Sequence, residues 1–533
     1  MTEQKSTHAR WGLNRTMIVF SFAGVFAFLY LRTFLLPAIP FVAIDDQVLF
    51  FARAVRIVHG QVLYRDFFEL VTPGTDLLYA GAFRLFGIHA WIIEAWSICV
   101  GLALFSIVTL IASRIFRGPL ALLPGLLFVV LDFNSGLNMT HHWYSTLAAM
   151  AAVGVLTGGI SLQRIFVAGL LCGVAALFTQ TQGALTFAAL AAYLLWRRPS
   201  KSQQGSVLRQ FTVLLLPFVF VLSCVLGYYT YKAGPRVVFF DLVVFPPKFM
   251  STIEINQPRT YLDQIGGYAS QFARTHKLTD LLSLIPVVFI YATVPYIYFL
   301  GLYQLRRKRE VLPSTIREGL VLLHLVGLAL FMAVINGPRY FRLCTVAPPA
   351  ILICVWLVSH QSRAQRFTRN LLWLVMALFA LLLPMRRQTQ WHATLNLPIG
   401  RTAFNDVSTF HEFQWLAQRT RPSDFFFNNS AVSLYLGLDN PTASEFETYD
   451  EFSRPDQIAA IVRALRNHPP NFIVLLPKTM ISSEVHDHAS GFRQFVYDNY
   501  SLAQILYADH SLYEQEIWER KSNPIIGPSK PGY

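Results

Sequence analysis

Long apolar runs separated by short hydrophilic breaks occupy most of the first 385 residues of the chain. At about 1.5 Å of rise per helical residue, a run of roughly 20 residues crosses the ~30 Å hydrocarbon layer of a membrane. The pattern therefore predicts a polytopic α-helical membrane protein with about eleven spans. We expect the spans at residues 17–37, 90–113, 118–132, 144–161, 165–180, 183–197, 210–232, 282–304, 318–336, 343–360 and 369–385.

The pattern changes after residue 385, where the long apolar runs stop and Asp, Glu, Asn and Pro become frequent. Short β-like strings alternate there with helical patterns, at 405–419, 424–428, 456–467 and 471–476. These elements predict a small α/β domain over residues 395–520. The chain is thus expected to form a multi-span membrane domain, 1–385, and a C-terminal domain, 386–533, with a loose end.

Composition and charge agree with a membrane protein. Only 14% of the residues are charged and 54% are hydrophobic, whereas a soluble domain carries about 25% charged residues. The net charge of +14 does not indicate nucleic-acid binding, because Lys and Arg collect in the short breaks between apolar runs. Positive residues hold such loops in the cytoplasm. The five cysteines all fall in apolar segments, so no disulfide framework or Cys-based zinc site is predicted.

The same charges predict the sidedness of the chain. If the N-terminus is cytoplasmic, every strongly basic short loop falls on the cytoplasmic side. Loop 38–89, turn 132–143, loop 233–281 and the tail from about residue 386 then lie outside. We therefore expect a multi-pass protein of the cell (inner) membrane with an extracytoplasmic C-terminal domain.

The first outer loop carries adjacent carboxylates, Asp45 and Asp46, directly after the first span. Carboxylates at a bilayer boundary are costly to desolvate, so they tend to face a cavity or a partner. One could accept a proton from a hydroxyl while its neighbour positions it or binds a cation. The alternative is a helix cap, because an amphipathic helix follows and Asp satisfies free N–H groups at a helix start. Gly60 is the expected end of that helix.

Further along the same loop, Arg65 and Asp66 are adjacent and are expected to form a surface pair. Glu69 is the better candidate for a site, because Phe67, Phe68 and Leu70 surround it and hold it near the membrane. A second apolar helix is expected to end near Phe86.

Two later outer turns also carry polar side chains at span boundaries. One contains Asp132, His141 and His142, which suit a metal or a phosphate, although adjacent histidines on a helix point about 100° apart and rarely share one ion. The alternative is a polar hinge at the membrane interface. The other turn contains Arg339 and Tyr340. An arginine kept outside is often there to hold an anion, and its planar guanidinium suits a phosphate.

These motifs together resemble the integral-membrane GT-C glycosyltransferases, and most closely the branch of protein O-mannosyltransferases and the aminoarabinose transferase of lipid A. Asp45-Asp46 resembles the Asp-Glu pair after the first span of that family. The segments 60–69 and Pro73-Gly74 resemble the rest of its first loop. Arg339-Tyr340, leading to Pro348-Pro349, resembles its late Arg-Tyr and proline element. The likeness covers most of residues 15–385.

The resemblance implies a polyprenyl-phosphate sugar as donor, transfer on the outer face and inversion at the anomeric carbon. Asp45 would be the general base and Asp46 its support, while Arg339 would hold the leaving lipid phosphate. Glu69, Asp132, His141 and His142 would line the cavity. The lysine that accompanies the loop-one prolines in some relatives is absent, so Arg53, Arg65 or Arg339 would contact phosphate. The acceptor is a lipid, glycan or protein, and a divalent metal is possible but not required.

Two other classes of function stay open at this stage. A transporter or flippase of lipid-linked glycans would place ionisable groups near the bilayer midplane and often show internal repeats. A non-catalytic scaffold would present the tail to partners. No P-loop or other nucleotide-binding motif occurs in a fitting context, so an enzyme of this kind needs a substrate that is already activated.

Overall fold

The computed structural model describes residues 14–43, 46–133, 137, 139–197, 207–250, 261–262, 265–267, 270, 278–308, 310–359, 362–444, 454–475, 489–507 and 514–522. The chain divides into two compact units. The helical unit comprises Met1–Arg32, Trp96–Leu226 and Glu254–Arg386. The mixed unit comprises Thr33–Ala95, Gly227–Ile253 and Arg387–Tyr533, and it contains helices and strands.

Helices are the main element of the chain. They are α1 (Arg15–Thr33), α2 (Gln47–Val58), α3 (Gly74–Phe86), α4 (Ala90–Ser113), α5 (Leu123–Leu127), α6 (His141–Thr157), α7 (Leu162–Phe178), α8 (Gln180–Arg197), α9 (Val207–Ala233), α10 (Pro235–Phe239), α11 (Leu278–Thr293), α12 (Ile297–Arg307), α13 (Ser314–Val334), α14 (Tyr340–Val346), α15 (Pro348–Val358), α16 (Arg363–Thr389), α17 (Val407–Ala417), α18 (Ser430–Leu436), α19 (Pro455–Asn467) and α20 (Ser490–Asn499). Shorter turns are 3-10 (Gly118–Ala121) or π-helical (Phe128–Asp132, Phe240–Val244, Pro246–Met250).

Each predicted span overlaps helical residues. Helices α1, α4, α9, α13 and α16 are long and apolar enough to cross a membrane. Two bent pairs, at α11–α12 (49°) and α14–α15 (71°), add one span each if each pair counts once. The described residues thus offer five to seven membrane-length crossings by length and composition, and the count of about eleven stays a prediction. The chain is a multi-pass membrane protein.

The helical unit relies on close approaches between neighbouring helices. Helices α7 and α8 are separated by Thr179 alone. Gly183, in the first turn of α8, lies directly against the backbone of Ala176 in α7, where a Cβ atom would collide with it. Gly327 of α13 lies against the side-chain ring of Tyr298 in α12, where a Cβ atom would collide with the ring. Small residues at these positions let the helix backbones pack closely.

The mixed unit combines residues 33–95 and 227–253 with the tail. Its strands are β1 (Phe34–Leu35), β2 (Ile39–Pro40), β3 (Ala393–Leu397), β4 (Gly400–Phe404), β5 (Phe426–Phe427), β6 (Phe472–Leu475), β7 (Tyr500–Tyr507) and β8 (Glu514–Arg520). The pairs β1–β2 and β3–β4 are antiparallel. A four-stranded sheet has the order β5-β6-β8-β7, in which only β5 and β6 are parallel.

The elements predicted for the tail are confirmed. Strands β5 and β6 lie in the two β-like strings, and α17 and α19 lie in the two helical patterns. Apolar side chains of α19 and α20 pack with strands β5 and β6 in one core. Because the tail shares a compact unit with Thr33–Ala95, its existence as a separate domain, 386–533, stays a prediction.

Candidate functional site

The acidic segment lies between a short β pair and α2. Asp45 falls outside the described residues. Ala43 is 2% exposed and donates its backbone N–H to the hydroxyl oxygen of Tyr435 over 2.7 Å. Asp46 is exposed and has right-handed helical backbone angles (φ −54°, ψ −28°), and its side chain makes no capping hydrogen bond to α2. The helix-cap alternative is therefore wrong for the side chain of Asp46, because a capping residue adopts extended angles.

Helix α2 begins at Gln47 and carries Arg53 into a buried ion-pair network. Its apolar positions face α3, and Gly60, with φ +91°, lies just beyond its end, as expected. Arg53 contacts Glu69 (Nη1–Oε2, 2.6 Å) and Asp76 (Nε–Oδ1, 2.8 Å), and the three side chains are at most 2% exposed. We call this set the buried triad.

The buried triad fixes the first loop. Glu69 Oε1 also accepts hydrogen bonds from the backbone N–H groups of Leu70 and Val71, at 2.8 Å each. Burial raises the pKa of both carboxyl groups above their usual values, and the charge of Arg53 opposes that rise. A phosphate could reach Arg53 only by displacing the carboxylate of Glu69 or Asp76. Glu69 is itself only 1% exposed, so its side chain has little contact with any cavity.

Arg65 and Asp66 form the expected surface pair. Arg65 donates two hydrogen bonds to the Asp66 carboxylate, at 2.9 and 2.8 Å. The Arg65 side chain is 46% exposed. The hydrogen bond from Arg65 lowers the pKa of Asp66. Arg65 remains accessible to solvent, in contrast to Arg53.

In the helical unit, Asp132 and Tyr340 are brought together through a cysteine that the sequence did not single out. The carboxyl group of Asp132 is fully buried near the thiol of Cys344, and neither of its oxygens has a hydrogen-bond partner among the described residues. The same thiol interacts with the hydroxyl of Tyr340. Tyr340 and Cys344 are four residues apart on α14, so they share one helix face.

The two histidines and Arg339 also belong to the helical unit. His141 and His142 stand at the start of α6 with their ring centroids 4.0 Å apart. The positively charged side chain of Arg342 lies near the ring of His142, and the ring of Phe341 meets the His142 ring edge-on. Arg339 is half-buried and precedes the first residue of α14.

Four ionisable residues in the mixed unit were not singled out from the sequence. Asp76 completes the buried triad. Glu94 is 7% exposed and is a charged residue within the apolar run of α4. An ionisable residue in such a run is a candidate for a functional site, so the sequence could have identified it. Asp241 is 5% exposed, and burial raises its pKa to about 7 although the charge of Arg454 opposes the rise. Arg454 lies within 6 Å of four aromatic rings, Phe68, Phe240, Phe245 and Phe249.

Metal ligands do not cluster in the part of the chain that the structure describes. Nowhere in it do three His, Cys, Asp or Glu side chains come together in a group that could hold a metal ion. Asp45, one of the carboxylates considered for a cation, lies outside it.

Among solved structures, the chain is similar to ArnT from Cupriavidus metallidurans bound to undecaprenyl phosphate. The identity is 13% and the TM-score 0.59, over 94% of this chain and 98% of that chain. AglB, an archaeal oligosaccharyltransferase from Archaeoglobus fulgidus in complex with an inhibitory peptide and a dolichol-phosphate, matches at 9% identity and a TM-score of 0.49, over 95% and 74%. The arabinofuranosyltransferase AftD from Mycobacteria matches at 13% and 0.48, over 96% and 40%. No protein-family model and no curated protein matches the chain.

The ArnT similarity extends over nearly the full length of both chains, so it reflects the whole architecture rather than one shared motif. The AglB and AftD scores are too low to add to it. The fold that the motifs implied is therefore confirmed: the chain has the GT-C fold of integral-membrane glycosyltransferases.

Proposed function

We propose that the protein is a membrane glycosyltransferase that moves a sugar from a polyprenyl-phosphate donor to an acceptor on the outer face of the membrane. The observation that carries this proposal is the fold shared, almost end to end, with an ArnT structure bound to undecaprenyl phosphate. The motifs of the acidic loop and of the Arg339 turn support it, because each occurs at the position where the resembled family carries it.

In the proposed reaction, the carboxylate of Asp45 accepts the proton of an acceptor hydroxyl. The hydroxyl oxygen then attacks the anomeric carbon of the donor sugar from the face opposite the phosphate. The bond between the anomeric carbon and the phosphate oxygen breaks, so the polyprenyl phosphate leaves and the configuration inverts. Asp46 supports Asp45 in this proposal.

The leaving phosphate gains negative charge, so a cation beside it lowers the barrier. Arg339 is the arginine we assign to this role. Arg53 is a weaker candidate, because both of its carboxylate partners are within 2.8 Å. Arg65 is exposed, and an incoming anion can displace the Asp66 carboxylate from it. Tyr340, Asp132 and the two histidines complete the proposed substrate-binding set in the helical unit.

The test uses purified protein in liposomes with a panel of polyprenyl-phosphate sugars, and it measures release of polyprenyl phosphate and labelling of added lipid, glycan and protein acceptors. Asp45→Asn is expected to lower turnover by a factor of 100 or more, on the order of the contribution of a general base. Asp66→Asn is the matched control, because it removes a carboxylate of the same loop whose partners are Arg65 and the backbone N–H of Val62.

Wild-type turnover in Asp45→Asn would contradict the assignment of the base. A wild-type protein that moves lipid-linked glycans across the liposome membrane without breaking the sugar–phosphate bond would contradict the transferase and favour a flippase. If neither activity is found and the tail captures a partner instead, the scaffold alternative replaces both.

A further inference from the structure

Tyr435 links the tail of the chain to the residues that lead into the acidic segment. It is fully buried, and its hydroxyl oxygen accepts the backbone N–H of Ala43 across 392 residues of sequence. The preceding N–H groups are held by backbone carbonyls: Phe41 donates to Thr33 (3.0 Å) and Val42 donates to Ala403 (2.8 Å). Among the described residues that precede the acidic pair, Tyr435 is thus the last hydrogen-bond partner, and of these three partners it alone is a side chain.

The element that carries Tyr435 also contacts the other side of the acidic segment. Helix α18 packs against α2, which begins directly after Asp46. The same short helix therefore holds the chain before the acidic pair, through Tyr435, and after it, through its packing on α2. A displacement of α18 would move both ends of the segment together.

Helix α18 is itself fixed at both ends. The side chain of Asn429 accepts the N–H of Val432 at its start and donates to the buried Glu412 over 2.9 Å. Gly437 ends the helix in the left-handed region, at φ +66°. The Tyr435 ring meets the ring of Phe413 edge-on, with the centroids 5.8 Å apart. The hydroxyl is therefore held in one place rather than being free to follow the loop.

We infer that Tyr435 is a positioning residue for the acidic segment, and that its hydroxyl sets where Asp45 stands in the reaction. The inference rests on the proposed function for the role of Asp45, but the contact itself does not. Without the hydroxyl, the N–H of Ala43 stays buried with no acceptor, so the segment is expected to move until water or another group satisfies it. Small displacements of a reacting group reduce the chemical step far more than they reduce binding.

The experiment compares Tyr435→Phe with Tyr500→Phe in the full-length protein. Tyr500 is a matched control because it is a tyrosine of the same unit, 1% exposed, whose hydroxyl also bonds to a backbone group, the carbonyl of Pro470 at 3.0 Å. It belongs to a different part of the tail. Two readouts are needed: hydrogen exchange of the amides in residues 43–50, and kcat and KM in the transfer assay.

We expect both variants to lower the midpoint of thermal unfolding by a similar amount, because each removes one buried hydrogen bond. Only Tyr435→Phe should raise exchange at residues 43–50, by about tenfold. It should also lower kcat by about 10- to 100-fold with the donor KM nearly unchanged. Equal exchange in the two variants, or an equal kcat, would overturn the inference.

The two readouts also separate this inference from the proposed function. If the wild-type protein transfers no sugar, the proposed function fails and the exchange comparison still decides whether Tyr435 holds the segment. If transfer is seen but Tyr435→Phe leaves both exchange and kcat at the level of Tyr500→Phe, the transferase stands and the positioning role is rejected.

Discussion

In the mixed unit, Arg53 is buried between two carboxylates, whereas in the helical unit the carboxyl group of Asp132 is buried beside a thiol. The mixed unit joins chain segments that are hundreds of residues apart, as the bond between Ala43 and Tyr435 shows. The helical unit brings helix backbones into direct contact, as the approach of Gly183 to Ala176 shows.

This difference follows from how each unit can gain stability. Apolar helices in lipid gain little from apolar burial, so their association depends on close packing of small residues. In residues 38–89, the stretches outside α2 and α3 have little regular structure and are fixed by directional contacts, which side chains such as Arg53 and Tyr435 supply. Removal of a charge should therefore destabilise the mixed unit most, and added side-chain volume should destabilise the helical unit most.

Removal of the Arg53 charge should have the largest effect. Arg53→Met keeps much of the side-chain volume but leaves Glu69 and Asp76 buried without a counter-charge. Breaking a buried ion pair in this way costs about 3–5 kcal/mol. We expect a large drop in the thermal unfolding midpoint in detergent, measured by the retention of monodisperse protein after heating.

The matched control for Arg53→Met neutralises its partners as well. The triple variant Arg53→Met, Glu69→Gln, Asp76→Asn leaves no buried charge, so it should recover a large part of the lost stability. A triple variant no more stable than Arg53→Met would show that the volume or the hydrogen bonds of Arg53, rather than its charge, hold the loop.

Added volume at Gly183 should have the next largest effect, and in the other unit. In Gly183→Ala the new methyl group meets the backbone of Ala176, which cannot rotate away as a side chain could. We expect a loss of about 2–3 kcal/mol, the upper part of the range for overpacking. Gly24→Ala on α1 is the control, because nothing lies within 4 Å of its Cβ position. It should be neutral or slightly stabilising, and equal losses in both variants would contradict close packing at Gly183.

The sequence predicted the elements of both units better than their contacts. Helix α2 was predictable because an amphipathic pattern ends at Gly60, a local signal. The partners of Arg53 were not, because they lie 16 and 23 residues further on and meet it only once α2 packs against α3. The resemblance placed Arg53 among phosphate contacts since a free arginine and a paired one look alike in sequence. The role of Tyr435 left no local signal at all.

Asp241 should give a smaller effect that depends on pH. Burial raises its folded-state pKa to about 7, above the 3.8 expected in the unfolded chain. A raised carboxyl pKa favours the folded state at low pH, and that contribution is lost as pH rises from about 4 to about 7. Asp241→Asn removes this loss but also removes the attraction to Arg454, so it should stabilise the protein at pH 8 and have little effect below pH 4. A difference between variant and wild type that does not change with pH would contradict the raised pKa.

The smallest effect is expected for Arg65, which tests the comparison within one loop. Arg65 and Arg53 are twelve residues apart, and each is paired with carboxylate, but the Arg65 side chain is 46% exposed where that of Arg53 is 2%. An exposed pair contributes little to stability because water and salt screen it. Arg65→Met should therefore shift the unfolding midpoint only slightly, and less still at 1 M salt. If it destabilised the protein as much as Arg53→Met, burial of the charge would not be what separates the two arginines, and the account of the mixed unit given above would be wrong.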